Sequence, residues 1–266
     1  MTDQLEWYRI LARRLLLSDP VHRGEWQAMD VSASERHATY ELMDVGLQID
    51  VPDDVPSLVA QVNPNLPWAD EHFAERVSGV PLNPPPSHKI WPWARYNADH
   101  QDTATKFSHT YPERFWPKHA GDAILDPMRG IRYRYGDLGD VVELLANRPM
   151  TRQAYLPVWF PEDTGSLGNV RVPCTIGYHF MVRDGHLHCW YQMRSCDLIR
   201  HLPDDVYLAG RLIQWMVEQI QTQRGHSPGC LHWEDLVPGR LHMTISSLHA
   251  FVGDKWQLER IAEEKP

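Results

Sequence analysis

The chain has 266 residues, of which 42% are hydrophobic and 23% charged, and a formal net charge of −9. That is ordinary globular composition at a length that can bury a core. The acidic balance excludes a non-specific binder of nucleic acid or of an anionic membrane, since both need a basic surface, but a small anion held by a local arginine cluster remains open.

The opening segment, MTDQLEWYRILARRLLLSDP, predicts a short amphipathic helix over residues 3–17 rather than a signal peptide. ATYELMDVGLQIDV (38–51) reads as a strand that Pro52 ends. WADEHFAERV (68–77) has helical spacing, with Phe73 and Val77 on one stripe. The Pro-rich VPLNPPPSHKIWPW resembles a linker in composition, but its flanking tryptophans favour a structured active-site loop. GDLGDVVELLANRP predicts a helix with Asp137 as cap and Pro149 past its end. Strand patterns follow in AYLPVWF, VPCTIGYHFMV and HLHCWYQM. Next comes a long helix, DDVYLAGRLIQWMVEQIQTQ, buried on its Leu208, Leu212 and Met216 side, and RLHMTISSLHAFVG supplies a late strand. The expected fold is α+β, a mixed sheet packed with helices in one domain over residues 1–266.

No apolar run approaches a membrane span. The four cysteines, Cys174, Cys189, Cys196 and Cys230, make no CxxC pair, so free thiols and a cytoplasmic setting are expected. Eleven tryptophans suggest an aromatic-lined cleft.

The segment from Pro173 to Asp205 concentrates the chemistry. Cys174 lies in an apolar strand, where an inert buried thiol and a nucleophile are both open readings. A turn at Asp184-Gly185 returns the chain toward it, bringing Arg194, and a cation near a thiol favours the thiolate. Arg194-Ser195 also suits a phosphate, as a fork plus a hydroxyl. Asp204-Asp205 precede a helix and could cap it. His186-Leu187-His188-Cys189 offers metal ligands, but on a strand the two histidines face away from the cysteine, so no metal is expected.

In order along the chain stand Pro173-Cys174, Arg194-Ser195-Cys196-Asp197 and Leu202-Pro203-Asp204-Asp205. Before them come Ile90-Trp91-Pro92-Trp93, Tyr111 opening YPERFW, and Thr151-Arg152-Gln153 ahead of VWFPED; after them comes SSLHAF with His249 and Phe251. This ordered set resembles the thymidylate synthases and their relatives, the pyrimidine-nucleotide hydroxymethylases. The resemblance implies that the Cys174 thiolate adds to C6 of a pyrimidine, so that C5 attacks the one-carbon unit of 5,10-methylenetetrahydrofolate. It implies a homodimer formed on a sheet face, with Arg152 reaching across to join Arg194 and Ser195 on the 5′-phosphate. Asp197 would act near the base and folate, His249 on the sugar and Tyr111 on the substrate, while Trp91 and Trp93 would line the folate site. Glu71, with Glu75 as its rival, would organise water and proton transfer, and Arg36 would be a phosphate arginine of the N-terminal loop. No membrane or nucleic-acid partner is implied.

Departures from the family pattern carry the specificity. Asp205 stands where an asparagine is expected. An amide pairs with O4 and N3–H of uracil, whereas a carboxylate accepts from the N4 amino group of cytosine and can share a proton with N3. Gln153 replaces a second arginine, Thr175 a histidine, His179 a glutamine and Phe251 a tyrosine, and the charged ending ERIAEEKP lacks an apolar seal. The expectation is folate-dependent hydroxymethylation of C5 of dCMP or CMP. A C5 methyltransferase acting on dCMP or dUMP and a non-catalytic nucleotide-binding relative are the alternatives.

Overall fold

A computed structural model describes residues 5–21, 25–26, 29–30, 34–94, 101–103, 106–120, 136–164, 171–224 and 236–263. Helix α1 (Glu6–Leu16) buries Leu11, Ala12 and Leu15, which share one stripe. Two short strands, β1 (Glu25–Trp26) and β2 (Met29–Asp30), pair with each other ahead of the long β3 (Thr39–Asp50). Helix α2 (Val55–Val62) is capped by Asp54, whose carboxylate accepts from Ser57 N at 2.8 Å. Helix α3 (Trp68–Arg76) and the 3-10 turn Pro86–Lys89 follow, and then the small pair β4 (Gln101–Thr103) and β5 (Lys106–Phe107). Helix α4 (Tyr111–Phe115) precedes α5 (Leu138–Asn147), which Asp137 caps through Asp140 N at 3.0 Å, as its sequence predicts.

The remaining elements are β6 (Ala154–Pro157), β7 (Thr175–Arg183), β8 (His186–Met193), β9 (Cys196–Asp197), α6 (Leu202–Arg224), β10 (Val237–Phe251) and α7 (Lys255–Glu263). Six strands form a mixed sheet in the order β3-β10-β8-β7-β6, with β9 also on β10; β10 runs parallel to β8 and β9 and antiparallel to β3. Residues Asp184 and Gly185 both have positive φ (50° and 76°), the backbone of a tight hairpin turn, and they return β8 onto β7.

The core lies on one face of this sheet, under α6. Leu208, Leu212 and Met216 are buried as their spacing predicts, and Leu202, Val206, Ile213 and Ile220 join them. A Cβ at Gly210 would stand 2.9 Å from Leu58 Cδ2, so the glycine is what lets α2 approach α6. The opposite face alternates outward along the strands: His179, His188, Trp190 and His242 are half-buried there, with Trp190 and His242 stacked at 4.7 Å, while Cys189 points into the core.

Two details differ from expectation. The long helix begins at Leu202, so Asp204 and Asp205 sit inside its first turn rather than ahead of it; Pro203 fits there because first-turn amides need no helical partner. Strand β10 is also longer than its hydrophobic pattern and reaches back to Val237. Among the described residues no helix is long and apolar enough to cross a membrane.

Candidate active site

One cleft gathers residues from both halves of the chain. The edge of the sheet and the start of α6 supply Cys174, Ser195, Asp197 and Asp205, while α3 and the Pro-rich loop supply Trp68, His72, Arg76, Ser87 and Trp91; Tyr111, His249 and Phe251 complete it. The Pro-rich segment is therefore a cleft wall, not a linker.

Cys174 precedes β7, is half-buried and is a free thiol, as are the core residues Cys189 and Cys196. Burial raises the Cys189 and Cys196 thiols well above their usual range, so neither is suited to nucleophilic work. Arg194 fixes the strand carrying Cys174: Nε donates to Pro173 O at 2.9 Å, Nη2 to Val172 O at 3.0 Å, and its amide to Cys174 O at 2.9 Å. Its side chain is not among the cleft-lining residues, whereas that of the neighbouring Arg171 is. Ser195 Oγ and His249 Nδ1 lie 3.5 Å apart, and burial lowers His249 to about 4, so the imidazole is neutral near neutral pH.

Asp197 is buried and accepts from Ile199 N (2.9 Å) and Arg200 N (3.0 Å), with Arg200 Nε 3.5 Å from its other oxygen. Burial raises its pKa, opposed by His201 and Arg200. It ties β9 to the following turn as well as lining the cleft.

The two adjacent acids of α6 divide cleanly. Asp204 grips Asn65, accepting from its amide and its side-chain Nδ2, both at 2.8 Å, so it docks the loop before α3. Asp205 turns into the cleft, where its carboxylate accepts from Cys196 Sγ at 3.6 Å. Burial pushes Asp205 up to about 7, with Arg76 pulling the other way. Neither acid is the residue preceding the helix.

Tyr111 OH and Tyr191 OH each lie 2.9 Å from Thr175 Oγ1, so Thr175 bridges the phenols of half-buried Tyr111 and buried Tyr191. The Arg76 guanidinium lies 3.9 Å over the Tyr111 ring, and burial raises the Tyr111 pKa. Trp91 faces the cleft, stacked on His201 at 5.8 Å and tilted against Trp68 at 6.4 Å. Trp93 sits behind this wall, with Arg200 5.4 Å over its ring.

Four sequence-based candidates lie elsewhere. Glu71 is on the exposed side of α3 and does not line the cleft. Glu75 is partly buried behind His72 and Ser87 rather than in the cleft. Arg36 is exposed on a 3-10 turn (Glu35–His37), and Arg152 is exposed ahead of β6, its carbonyl 3.0 Å from His179 Nε2. Conversely, His72, Arg76, His109, Arg171 and His201 line the cleft without having been singled out. A helical-wheel reading places Trp68, His72 and Arg76 on one stripe at i, i+4 and i+8, the signal that was available for His72 and Arg76. The apolar stripe of Phe73 and Val77 beside it drew the reading instead.

Among the described residues no group of histidine, cysteine or acidic side chains converges as a metal site. Residues 87–233, over half of the chain, match the family model described as thymidylate synthase. The chain is also 27% identical over 135 residues to a protein named thymidylate synthase from Vesicomyosocius okutanii subsp. Calyptogena okutanii (strain HA), covering 47% of this chain and 50% of that relative. The chain thus spans about half the length of the curated relative it matches.

Proposed function

The chain belongs to the thymidylate synthase family, and from that premise we propose that it hydroxymethylates C5 of a cytidine 5′-monophosphate, dCMP or CMP. The observation that carries the reading is the division of labour between Asp204 and Asp205: one acid is spent on Asn65 and the other faces the cleft. A carboxylate there accepts from the cytosine N4 amino group and shares a proton with N3, and a pKa near 7 suits that sharing. Facing uracil O4, the ionised carboxylate opposes acceptor to acceptor, a buried mismatch of roughly 1–3 kcal/mol.

The roles proposed for the individual residues are these. Cys174 adds to C6 as thiolate, making C5 nucleophilic, and Arg194 keeps its strand in place through the Val172 and Pro173 carbonyls. Ser195 at the strand end is assigned to the 5′-phosphate, with Arg152 joining from the partner of a homodimer that buries the histidine- and tryptophan-rich sheet face, while Arg194 stays on the backbone carbonyls outside the cleft lining. His249 holds the sugar, and Phe251 beside it offers no hydroxyl. The aromatic wall of Trp91 and Trp68 fits a flat heterocycle, and bound 5,10-methylenetetrahydrofolate supplies the one-carbon unit. Helix α7 packs against α1.

Incubation with methylenetetrahydrofolate and, separately, CMP, dCMP or dUMP tests the reading by product mass. Hydroxymethyl-cytidylate is expected. A methylated product with release of dihydrofolate would assign a synthase, and no turnover with any of the three would assign a binding role.

A further inference from the structure

The α3 wall carries a buried polar device that this chemistry has not yet used. His72 is 8% exposed, its ring lies against Trp68 (centroids 5.0 Å apart, planes 15°) and it meets Tyr111 edge-on at 6.3 Å. Its Nδ1 is 3.2 Å from Ser87 Oγ and 3.5 Å from Glu75 Oε2. Ser87 in turn donates twice to Glu75, from its hydroxyl to Oε2 at 2.5 Å and from its amide to Oε1 at 2.6 Å.

This chain of contacts fixes the tautomer. Burial pushes Glu75 up, but hydrogen bonds from His72 and Ser87 bring it below its usual range, so it is an ionised acceptor. The Ser87 hydroxyl hydrogen therefore points to Glu75, and Ser87 Oγ can meet His72 only as an acceptor. Nδ1 carries the proton, and Nε2, on the ring edge turned away from Ser87 and Glu75, keeps its lone pair. Burial, reinforced by Arg76, lowers His72 to about 4, so the ring is neutral before reaction; Glu75 opposes that lowering and stabilises the ring once it gains a proton. The other cleft histidines are held differently: His88 Nδ1 is 2.7 Å from Pro85 O, His109 Nδ1 is 3.1 Å from Arg171 O, His201 stacks on Trp91, and His249 pairs with Ser195.

We propose that His72 Nε2 is the base that takes a proton from the water adding to the C5 substituent, with Glu75 and Ser87 as its positioning residues. This rests on the hydroxymethylation reading. The water oxygen bonds to the exocyclic methylene carbon while one of its protons passes to Nε2. The methylene double-bond electrons shift into the ring, the C5–C6 double bond re-forms, and the C6–S bond breaks with its electron pair leaving on Cys174. The products are neutral hydroxymethyl-cytidylate, a Cys174 thiolate and a His72 imidazolium, and the charges balance.

The test uses the full chain, C5-deuterated cytidylate and methylenetetrahydrofolate, following deuterium release and product formation separately. His72→Ala should lower hydroxymethyl product formation by roughly 10²–10⁴-fold, with deuterium release and KM for cytidylate within about threefold of wild type. Added imidazoles should restore the rate, more strongly as their basicity rises, a response that a purely structural side chain would not give. Glu75→Gln should lower kcat by about tenfold at unchanged KM. If the alanine variant fails to fold, His72→Asn, whose amide can still donate to Ser87, carries the same expectation without rescue. Product formation within about threefold of wild type in a folded variant, or rescue indifferent to imidazole basicity, overturns the role of His72. Absence of deuterium release from the wild-type protein instead defeats the hydroxymethylation reading.

Discussion

The two walls of the cleft are built differently. The sheet wall, from Cys174 to Asp205, lies within the segment that matches the family model, yet much of its polar chemistry is spent on architecture: Arg194 on two carbonyls, Asp197 on two amides, Asp204 on Asn65. The α3 wall, Trp68 to Arg76, lies outside that segment and presents Trp68, His72 and Arg76 to the cleft. The sheet wall thus holds a strand and a helix start in register, whereas the other wall carries the groups proposed for proton transfer. A motif identifies which chemistry is present, and burial and partners decide which of its groups are still available for it.

Removing the nucleophile tests the sheet wall most severely. Cys174→Ala should abolish turnover, by roughly 10⁴-fold or more, while leaving nucleotide binding measurable by calorimetry. Residual turnover close to wild type would remove Cys174 from the chemistry.

The paired acids sharpen the contrast within one helical turn. Asp205→Asn should shift preference from cytidylate toward uridylate by about 10–100-fold in kcat/KM ratios. Asp204→Ala should leave that ratio alone and cost about 1–3 kcal/mol of stability, read from denaturant midpoints, because the Asn65 amide loses its acceptor. Exchange of these two outcomes would mean that the acids have been assigned the wrong way round.

The pH dependence separates the walls again. Asp205 has a folded pKa of about 7 against an ordinary value of 3.8, so between those limits the folded chain holds the extra proton. Its contribution to stability is present below the lower value and is lost as pH rises through the higher one. Asp205→Asn should therefore raise Tm relative to wild type at pH 8 and much less at pH 4. His72 titrates near 4, so an acid limb of activity near pH 7 would belong to Asp205 and not to His72.

The smallest expected effect lies on the outside of α3. Glu71→Gln should leave turnover within about twofold of wild type, because the side chain is solvent-exposed. A loss of tenfold or more would return Glu71 to the proton chemistry.

Much of this molecule is legible in its sequence, for identifiable reasons. Strand β8 matches its alternation to the residue, Asp137 caps α5, and the Asp184-Gly185 turn returns the hairpin, because each is fixed by neighbours in sequence. Of the two tryptophans expected at the cleft from the Pro-rich loop, Trp91 lines it and Trp93 does not. What the sequence could not resolve is which group of α3 faces inward: its candidates are Glu71 and Glu75, whereas His72 lines the cleft. On α6 it singles out Asp205, which does line the cleft, but not the use of Asp204 on Asn65. One helical step turns a side chain by about 100°, so a shift of one residue moves it from cleft to solvent or from cleft to scaffold. The use of Arg194 on carbonyls is a tertiary fact, since those carbonyls lie on the neighbouring segment across the hairpin.

The central claim is that Asp205 selects cytosine, and a direct competition tests it. Wild-type and Asp205→Asn proteins receive equal concentrations of dCMP and dUMP, or of CMP and UMP, with methylenetetrahydrofolate, and the products are weighed. The account predicts hydroxymethyl-cytidylate from the wild type and a marked gain of uridylate-derived product in the variant. Uridylate-derived product from the wild type, or an identical product ratio from both proteins, would contradict it.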